Sequence, residues 1–487
     1  MKKQLAGILA LAMSLTMAAC SSDAGSGSAG SSDNGSGDAD SKVTTTAAAV
    51  KDETTAKADD GDSKAEAEGD TEASQEEKQE PAEDVKYPTA MSMLRDVELE
   101  NKEVKIITYN SDTVPQAAIE LFEQKYGGTV AVHTTVTDNF NNADKLDKAI
   151  KDSKGIDLII DYPQTMYGNV INERIQPVDS YIDLNSDIWQ NTKTAMEAYS
   201  FGGKHYKLVT DVAPAYYCFY NTETIEEHGF DDPWELYKAG NWNWDTFESM
   251  LSDFLNEGNV DYGITGYYFG YALARSAGVP LAEVSGGHIV SNSGNQALKD
   301  AMNFGLKLNN NGLSFFDPWF ADYAVSNVGD GGQLFCITFL GELRGGFNNF
   351  GVVPVPSPAG SDPYQYASVS GYSLYKDAQN PEGAALFAEC IIAANNDPEV
   401  IAANNQNLKK NYDFSDAVIS QLNEIDSLAS RYPVIDFSDS SADFHYYTRD
   451  SIIYNSYLYG KASDLSIIDT FAAVFDEDLQ AALAGME

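Results

Sequence analysis

Two apolar runs, VKIITY at residues 104–109 and IDLII at 156–160, each deliver a carboxylate to the loop that follows: Asp112 in NSD and Asp161 in DYP, the second with Tyr162 beside it. Carboxylates next to aromatic rings suit a neutral, hydroxyl-rich ligand. Their oxygens accept hydrogen bonds from hydroxyls, while the rings cover an apolar C–H face. The competing structural reading is that each aspartate only caps a helix. A pair of carboxylates could also hydrolyse a glycosidic bond, but 74 acidic residues supply such pairs by composition alone, so acidity singles out no reaction.

Motifs for other chemistry are missing. The sequence has no GxSxG nucleophile elbow and no HExxH, and its five histidines (His133, His205, His228, His288, His445) show no ligand spacing. GSGSAG at 25–30 matches GxGxxG but has no strand before it, so it is a chance match. Cys218, Cys336 and Cys390 each sit among apolar neighbours without a CxxC spacing and read as buried thiols. No catalytic residue, metal or cofactor is expected.

The candidate loops are positioned by strands alternating with helices. After VKIITY comes VPQAAIELFEQKYGG, with Pro115 in the first helical turn, Ala118, Ile119, Phe122 and Tyr126 on one face, and Gly127 as the stop. TVAVHTTV, ADKLDKAIKDSK and IDLII continue the alternation, which predicts a parallel sheet of crossover units. Ligands of such sheets lie outside the carboxyl ends of the strands, where the Asp112 and Asp161 loops begin. The helix opening near Val114 aims free backbone N–H groups at the same region. APAYYCFY at 213–220 is a further strand, 222–345 a second unit, FGVVPVPSPAG a return to the first, and the stretch from about 380 mostly helical. There is no internal repeat.

Three of the five tryptophans fall within DDPWELYKAGNWNWDTFESM, residues 231–250. With Asn243 as N-cap, Trp242 and Phe247 occupy the two positions of a hydrophobic staple. Trp242 and Trp244 therefore read as structural, and Trp234 is undecided.

The first twenty residues, MKKQLAGILALAMSLTMAAC, have the basic start and short apolar run of a secretory signal. Residues 21–86 carry 18 acidic and six basic side chains and no aromatic residue, the composition of an unfolded tether spanning roughly 45 Å as a flexible coil. Of the overall charge of −43 the folded part keeps most, which argues against nucleic acid as a partner and equally serves solubility.

MAAC at 17–20 resembles the lipobox of bacterial lipoproteins, with Met where Leu is common, and implies lipidation of Cys20. From about 104 to 480 the chain resembles the extracellular solute-binding proteins of carbohydrate-type ABC importers, the family that includes maltose-binding protein. The resemblance rests on the order and spacing of VKIITYN, GIDLIIDYP, YCFYNTETIEEHGF, PWELYKAGNWNWDTF and FGVVPVPSPAG…GYSLYKDAQNPEGAALFAECI. It implies an α/β fold of two hinged, discontinuous lobes with a ligand cleft between them: 104–215 plus 350–405, and 222–345 plus 410–487. It further implies a monomer on the outer face of the cytoplasmic membrane of a Gram-positive bacterium, delivering a sugar to ABC permease subunits.

Alongside Asp112, Asp161 and Tyr162, the resemblance points to Tyr216 at the first crossing and Tyr267 and Tyr268 as stacking rings. Glu342 stands where maltose-type members place an aromatic. Tyr372, His445 and Tyr446, and more loosely Trp319, complete the set. A surface glycosidase, or a sensor or adhesin lipoprotein with the same fold, are the competing classes.

Overall fold

Two β-sheets, linked where the chain passes from one to the other, organise the fold. The computed structural model describes residues 85–136, 140, 143–160, 163–258, 260–266, 268–316, 321–343 and 349–438, and isolated positions beyond them. The first sheet is built on β1 (Glu103–Thr108), β2 (Thr129–Thr134), β3 (Leu158–Ile160), β4 (Ile175–Gln176) and β5 (Lys207–Pro214). The second holds β6 (Tyr217–Asn221), β7 (Ile264–Gly266), β8 (Ser314–Phe316), β9 (Phe335–Thr338) and β10 (Phe350–Val353). β11 (Gln365–Tyr375) and β12 (Pro433–Val434) return to the first.

In the first sheet β1 pairs in parallel with β2 and β3, as the strand–helix alternation predicts. The long β11 then runs antiparallel to β3, β4 and β5 and parallel to β12. Helix α1 (Pro88–Met93) precedes the sheet, and α2 (Gln116–Tyr126) follows β1. Gly127 ends α2 with φ +62° while its N–H donates to the Glu123 carbonyl at 2.8 Å, the left-handed stop that glycine allows. In the second sheet the order is β8-β7-β9-β6-β10, with β9 and β10 both antiparallel to β6. Cys218, Cys336 and Cys390 are buried free thiols.

The tryptophan segment opens helix α3 (Trp244–Asn256), and Asn243 caps it by accepting from the N–H groups of Asp245 and Thr246. Trp242 meets Phe247 edge-on at 5.8 Å, the staple contact. Both indoles also have N–H partners on one stretch of chain: Trp242 Nε1 donates to the Pro354 carbonyl at 2.8 Å, and Trp244 Nε1 to Pro356 at 3.0 Å. Trp244 lies flat on Phe304, with centroids 4.8 Å apart and planes 8° apart. Trp234 packs, half-buried, against Tyr237 and beneath Lys238. Trp242 and Trp244 thus hold the proline-spaced segment after β10 against the second lobe.

Helix α4 (Tyr268–Arg275) follows β7. Helix α5 (Pro381–Asn395) is buried from Gly383 to Ala394 and packs on α2, where Phe387 meets Phe122 edge-on at 5.7 Å. Helix α6 (Asp416–Arg431) straddles both sheets. Val418, Ile419, Leu422 and Ile425 share one apolar cluster with Phe219, Phe350 and Val352 of the second sheet. Further along, Ser430 Oγ donates to the Val212 carbonyl of β5.

Two boundaries differ from the expected ones. Residues 350–353 lie in the second sheet because β10 pairs with β6, so the return crossing runs over 354–364. Within 410–438, the part from Tyr412 to Ile425 packs on the second sheet, whereas β12 joins the first beside β11.

Replacing Asn243 by Ala removes the acceptor for two N–H groups and should cost about 1 kcal/mol of stability. A lowered urea midpoint for Asn243→Ala, with most of the loss absent in Asn243→Asp, is the expected outcome.

Candidate functional site

Only Ala215 and Tyr216 separate β5 of the first sheet from β6 of the second. The Ala215 N–H donates to the Tyr366 carbonyl of β11 at 2.8 Å, which fixes the passage against the first sheet. Further along the β5–β11 pairing, close approach needs Gly371: a β-carbon at that position would stand 2.2 Å from the Leu208 carbonyl oxygen, beside a register shift.

Rings gather at this passage. Tyr216 stacks on Tyr268, the first residue of α4, at 5.2 Å and 28°, and leans on Tyr366 at 5.8 Å and 44°. Tyr268 meets Phe339 edge-on at 5.3 Å. Phe339 follows β9 and leads into the 3₁₀ turn Leu340–Leu343, where the N–H of half-buried Glu342 donates to the Phe339 carbonyl at 3.2 Å. The arrangement sets half-buried Tyr216 and Tyr366 against the buried Tyr268 and Phe339, with Glu342 on the adjoining turn.

Under Tyr366 lies Arg275, its guanidinium carbon 4.4 Å from the ring centre. Its Nε donates to Asp436 Oδ2 at 2.6 Å, and both side chains are fully buried.

On the first lobe, the loop after β1 is held by its own Asn and Thr residues. Asn110 Oδ1 accepts from the Asp112 N–H at 3.0 Å, and Thr113 Oγ1 donates to the Asn110 carbonyl at 2.7 Å. Asn110, not Asp112, does the capping, and the Asp112 side chain is exposed. No side chain caps α2, whose N-terminus follows this loop. Tyr372, expected to face the ligand, is instead 3% exposed and donates its hydroxyl to the Thr113 carbonyl at 3.3 Å. It braces the Asp112 loop from inside, and burial pushes its phenol pKa up.

Of the expected residues, the structure brings together Tyr216 and Tyr268, with Glu342 on the turn next to them, and links Tyr372 to the loop of Asp112. Asp161, Tyr162, Tyr267, Trp319, His445, Tyr446 and Cys20 lie outside the described residues. Sequence reasoning missed Tyr366, Phe339 and Arg275. Arg275 did leave a trace: it is the lone charge ending the apolar stretch YFGYALAR, and a charge in such a place must find a partner. Among the described residues no three or more His, Cys, Asp or Glu side chains gather as metal ligands, and no helix is long and apolar enough to cross a membrane.

Two hinge-linked α/β lobes with side chains converging at the crossing define the two-lobe fold of periplasmic-binding-protein-like receptors. The profile described as bacterial extracellular solute-binding protein matches residues 117–404, and the chain belongs to that family. Several solved structures share the fold. The cyclic α-maltosyl-1,6-maltose binding protein from Arthrobacter globiformis is similar at 12% identity and TM-score 0.57, over 79% of this chain and 99% of that one. The galacto-N-biose/lacto-N-biose I-binding protein of an ABC transporter from Bifidobacterium longum is similar at 13% identity and TM-score 0.55, over 80% and 99%. An ABC substrate-binding protein from Listeria monocytogenes in complex with cycloalternan is similar at 14% identity and TM-score 0.53, over 78% and 100%. A search of curated protein sequences gave no match.

The crossing also carries a pair of carboxylates. Tyr217 at the start of β6 donates to Asp426 of α6 at 2.7 Å, and Asp211 of β5 acts on the same carboxyl through space. Burial, with the Asp211 charge adding to it, raises the Asp426 pKa to about 7 despite the Tyr217 hydrogen bond, and burial raises that of Asp211 to about 6. Both folded values exceed the ordinary carboxylate value. The stability they favour is therefore complete below about pH 4, where both states are protonated, and is lost as pH rises through 6 to 7. Asp426→Asn keeps an acceptor for Tyr217 and removes the charge. It should stabilise the protein at pH 8 by about 1–2 kcal/mol and change little near pH 4, as thermal melts across that range would show.

Proposed function

We propose that this chain reversibly binds a neutral carbohydrate, a mono- or oligosaccharide, between its lobes and passes it unchanged to the membrane subunits of an ABC importer. The observation that carries this reading is the ring cluster at the two-residue crossing, where half-buried Tyr216, and half-buried Tyr366 of β11, are backed by the buried Tyr268 of α4. Aromatic faces suit the C–H face of a sugar, and a ligand that touches both lobes shifts an open–closed equilibrium toward the closed form. Asp112 and Glu342 then supply acceptors for hydroxyls. Asp161, Tyr162, Tyr267, Trp319, His445 and Tyr446 complete the proposed lining, with Tyr372 as the brace. That solved relatives of this fold bind cycloalternan or lacto-N-biose supports the choice of ligand class.

In the same reading Cys20 carries lipid, residues 21–86 tether a monomeric receptor to the outer face of the cytoplasmic membrane, and the anchor raises its effective concentration at the permease. The extracytoplasmic setting is that of the family.

Titrating the protein lacking residues 1–20 with a panel of mono- and oligosaccharides, by calorimetry and intrinsic fluorescence, tests this directly. At least one sugar should bind and be recovered intact, and Tyr216→Ala should weaken it about tenfold, equivalent to about 1.4 kcal/mol. Recovery of cleaved sugar would make the protein a glycosidase. A flat response to every sugar would end the carbohydrate assignment.

A further inference from the structure

We infer that Arg275 is a positioning residue: paired with Asp436, it latches the helix of the second lobe to the first sheet and holds the Tyr366 ring in place beside Tyr216. As a statement about binding this rests on the carbohydrate reading of the site; as a statement about interlobe geometry it does not.

The pair draws contacts from separate parts of the chain. Besides the Arg275 Nε bond, Asp436 accepts from the backbone N–H groups of Leu281 at 3.0 Å, Ala282 at 3.3 Å and Ser438 at 2.8 Å. Arg275 Nη1 donates to the Tyr271 carbonyl at 3.1 Å within α4. Asp436 lies two residues beyond β12, and in that strand Val434 is paired with Tyr366. The carboxylate therefore hangs from the first sheet while its cation is the last residue of a second-lobe helix.

A charge pair this deeply buried is a poor source of stability. Apolar side chains of similar volume often do as well or better, because desolvating two ions costs about what their attraction returns. What the pair supplies is geometry. A planar guanidinium pinned by Asp436 and Tyr271 sets a fixed surface 4.4 Å beneath the Tyr366 ring. The Tyr366 carbonyl also receives the Ala215 N–H, so the residue holding the crossing and the ring leaning on Tyr216 are the same. A shift of α4 against the first sheet therefore acts on Tyr366 through Arg275, alongside the bonds of Asp436 to the Leu281 and Ala282 N–H groups.

The experiment uses the protein lacking residues 1–20 and four variants: Arg275→Lys, Tyr366→Leu, Arg275→Met with Asp436→Leu, and that pair combined with Tyr366→Leu. Spin labels on Glu123→Cys of the first lobe and Asp300→Cys of the second report interlobe distances without any ligand. Arg275→Met with Asp436→Leu leaves no orphan charge but removes the acceptor of the Leu281, Ala282 and Ser438 N–H groups, so it should melt below the parent. It should broaden the distance distribution and weaken sugar binding about tenfold, with Arg275→Lys intermediate. In the Tyr366→Leu background, removing the pair should cost less than about a further twofold in affinity, since the effect runs through that ring. Distances and affinity unchanged from the parent would overturn the inference. So would losses that add in full to those of Tyr366→Leu, because those belong to a merely structural pair. Should no sugar bind the parent protein, the carbohydrate reading falls while the distance distributions still decide the latch. Should Arg275→Met with Asp436→Leu fail to fold, Arg275→Lys carries the same comparison.

Discussion

The passage through Ala215 and Tyr216 is the constraint on which the rest of this molecule depends. A strand of one sheet becomes a strand of the other with two residues between them, so rotation of one lobe against the other is confined to very few backbone torsions. One of those two residues is pinned by its N–H to Tyr366, and the other presents its ring to both lobes. Hinge and candidate site therefore share atoms. A guest that changes how the rings meet acts directly on the angle between the lobes, without any relay through the cores.

The second crossing is disciplined differently. Over 354–357 the chain is proline-spaced and held by two indole N–H groups, and the Trp244 N–H donates to the Ser357 carbonyl at 3.0 Å. Proline removes backbone donors and fixes φ, so the segment has few internal bonds of its own and takes its shape from the tryptophans. Their contacts, edge-on with Phe247 and stacked on Phe304, bury large apolar area while the polar end of each ring is satisfied. This stretch is held to the second lobe, and 358–364 complete the return.

What could be read from the sequence was whatever a short window fixes. Asn243 beside Trp242 and Trp244, Gly127 after an amphipathic helix, and the parallel pairing implied by VKIITY, TVAVHTTV and IDLII are local patterns, and each appears as read. The boundary at 350 did not, because whether FGVV joins the first sheet or the second depends on pairing with Cys218 to Asn221, well over a hundred residues away. Tyr372 looked like a cleft residue from its place after SVSG, but its strand runs between β3 and β5, and that flanking buries it. Tyr366 carried no local mark at all. Its importance comes from contacts with Ala215, Tyr216 and Arg275, which only the folded chain brings together.

Charge narrows what such a site can accept. With residues 21–86 left aside, the rest of the chain still carries a large negative excess, and a field of that sign disfavours anionic guests before any contact forms. Among the described residues, the cation against Tyr366 offers no compensation, since Arg275 is fully buried and paired with Asp436. Tyr216 and Tyr366 are only partly buried, and Glu342 lies on the turn that follows Phe339. Among the described residues, the aromatic faces and acceptors of this cluster favour a guest rich in hydroxyl donors and C–H surface over phosphates, carboxylates or nucleic acid.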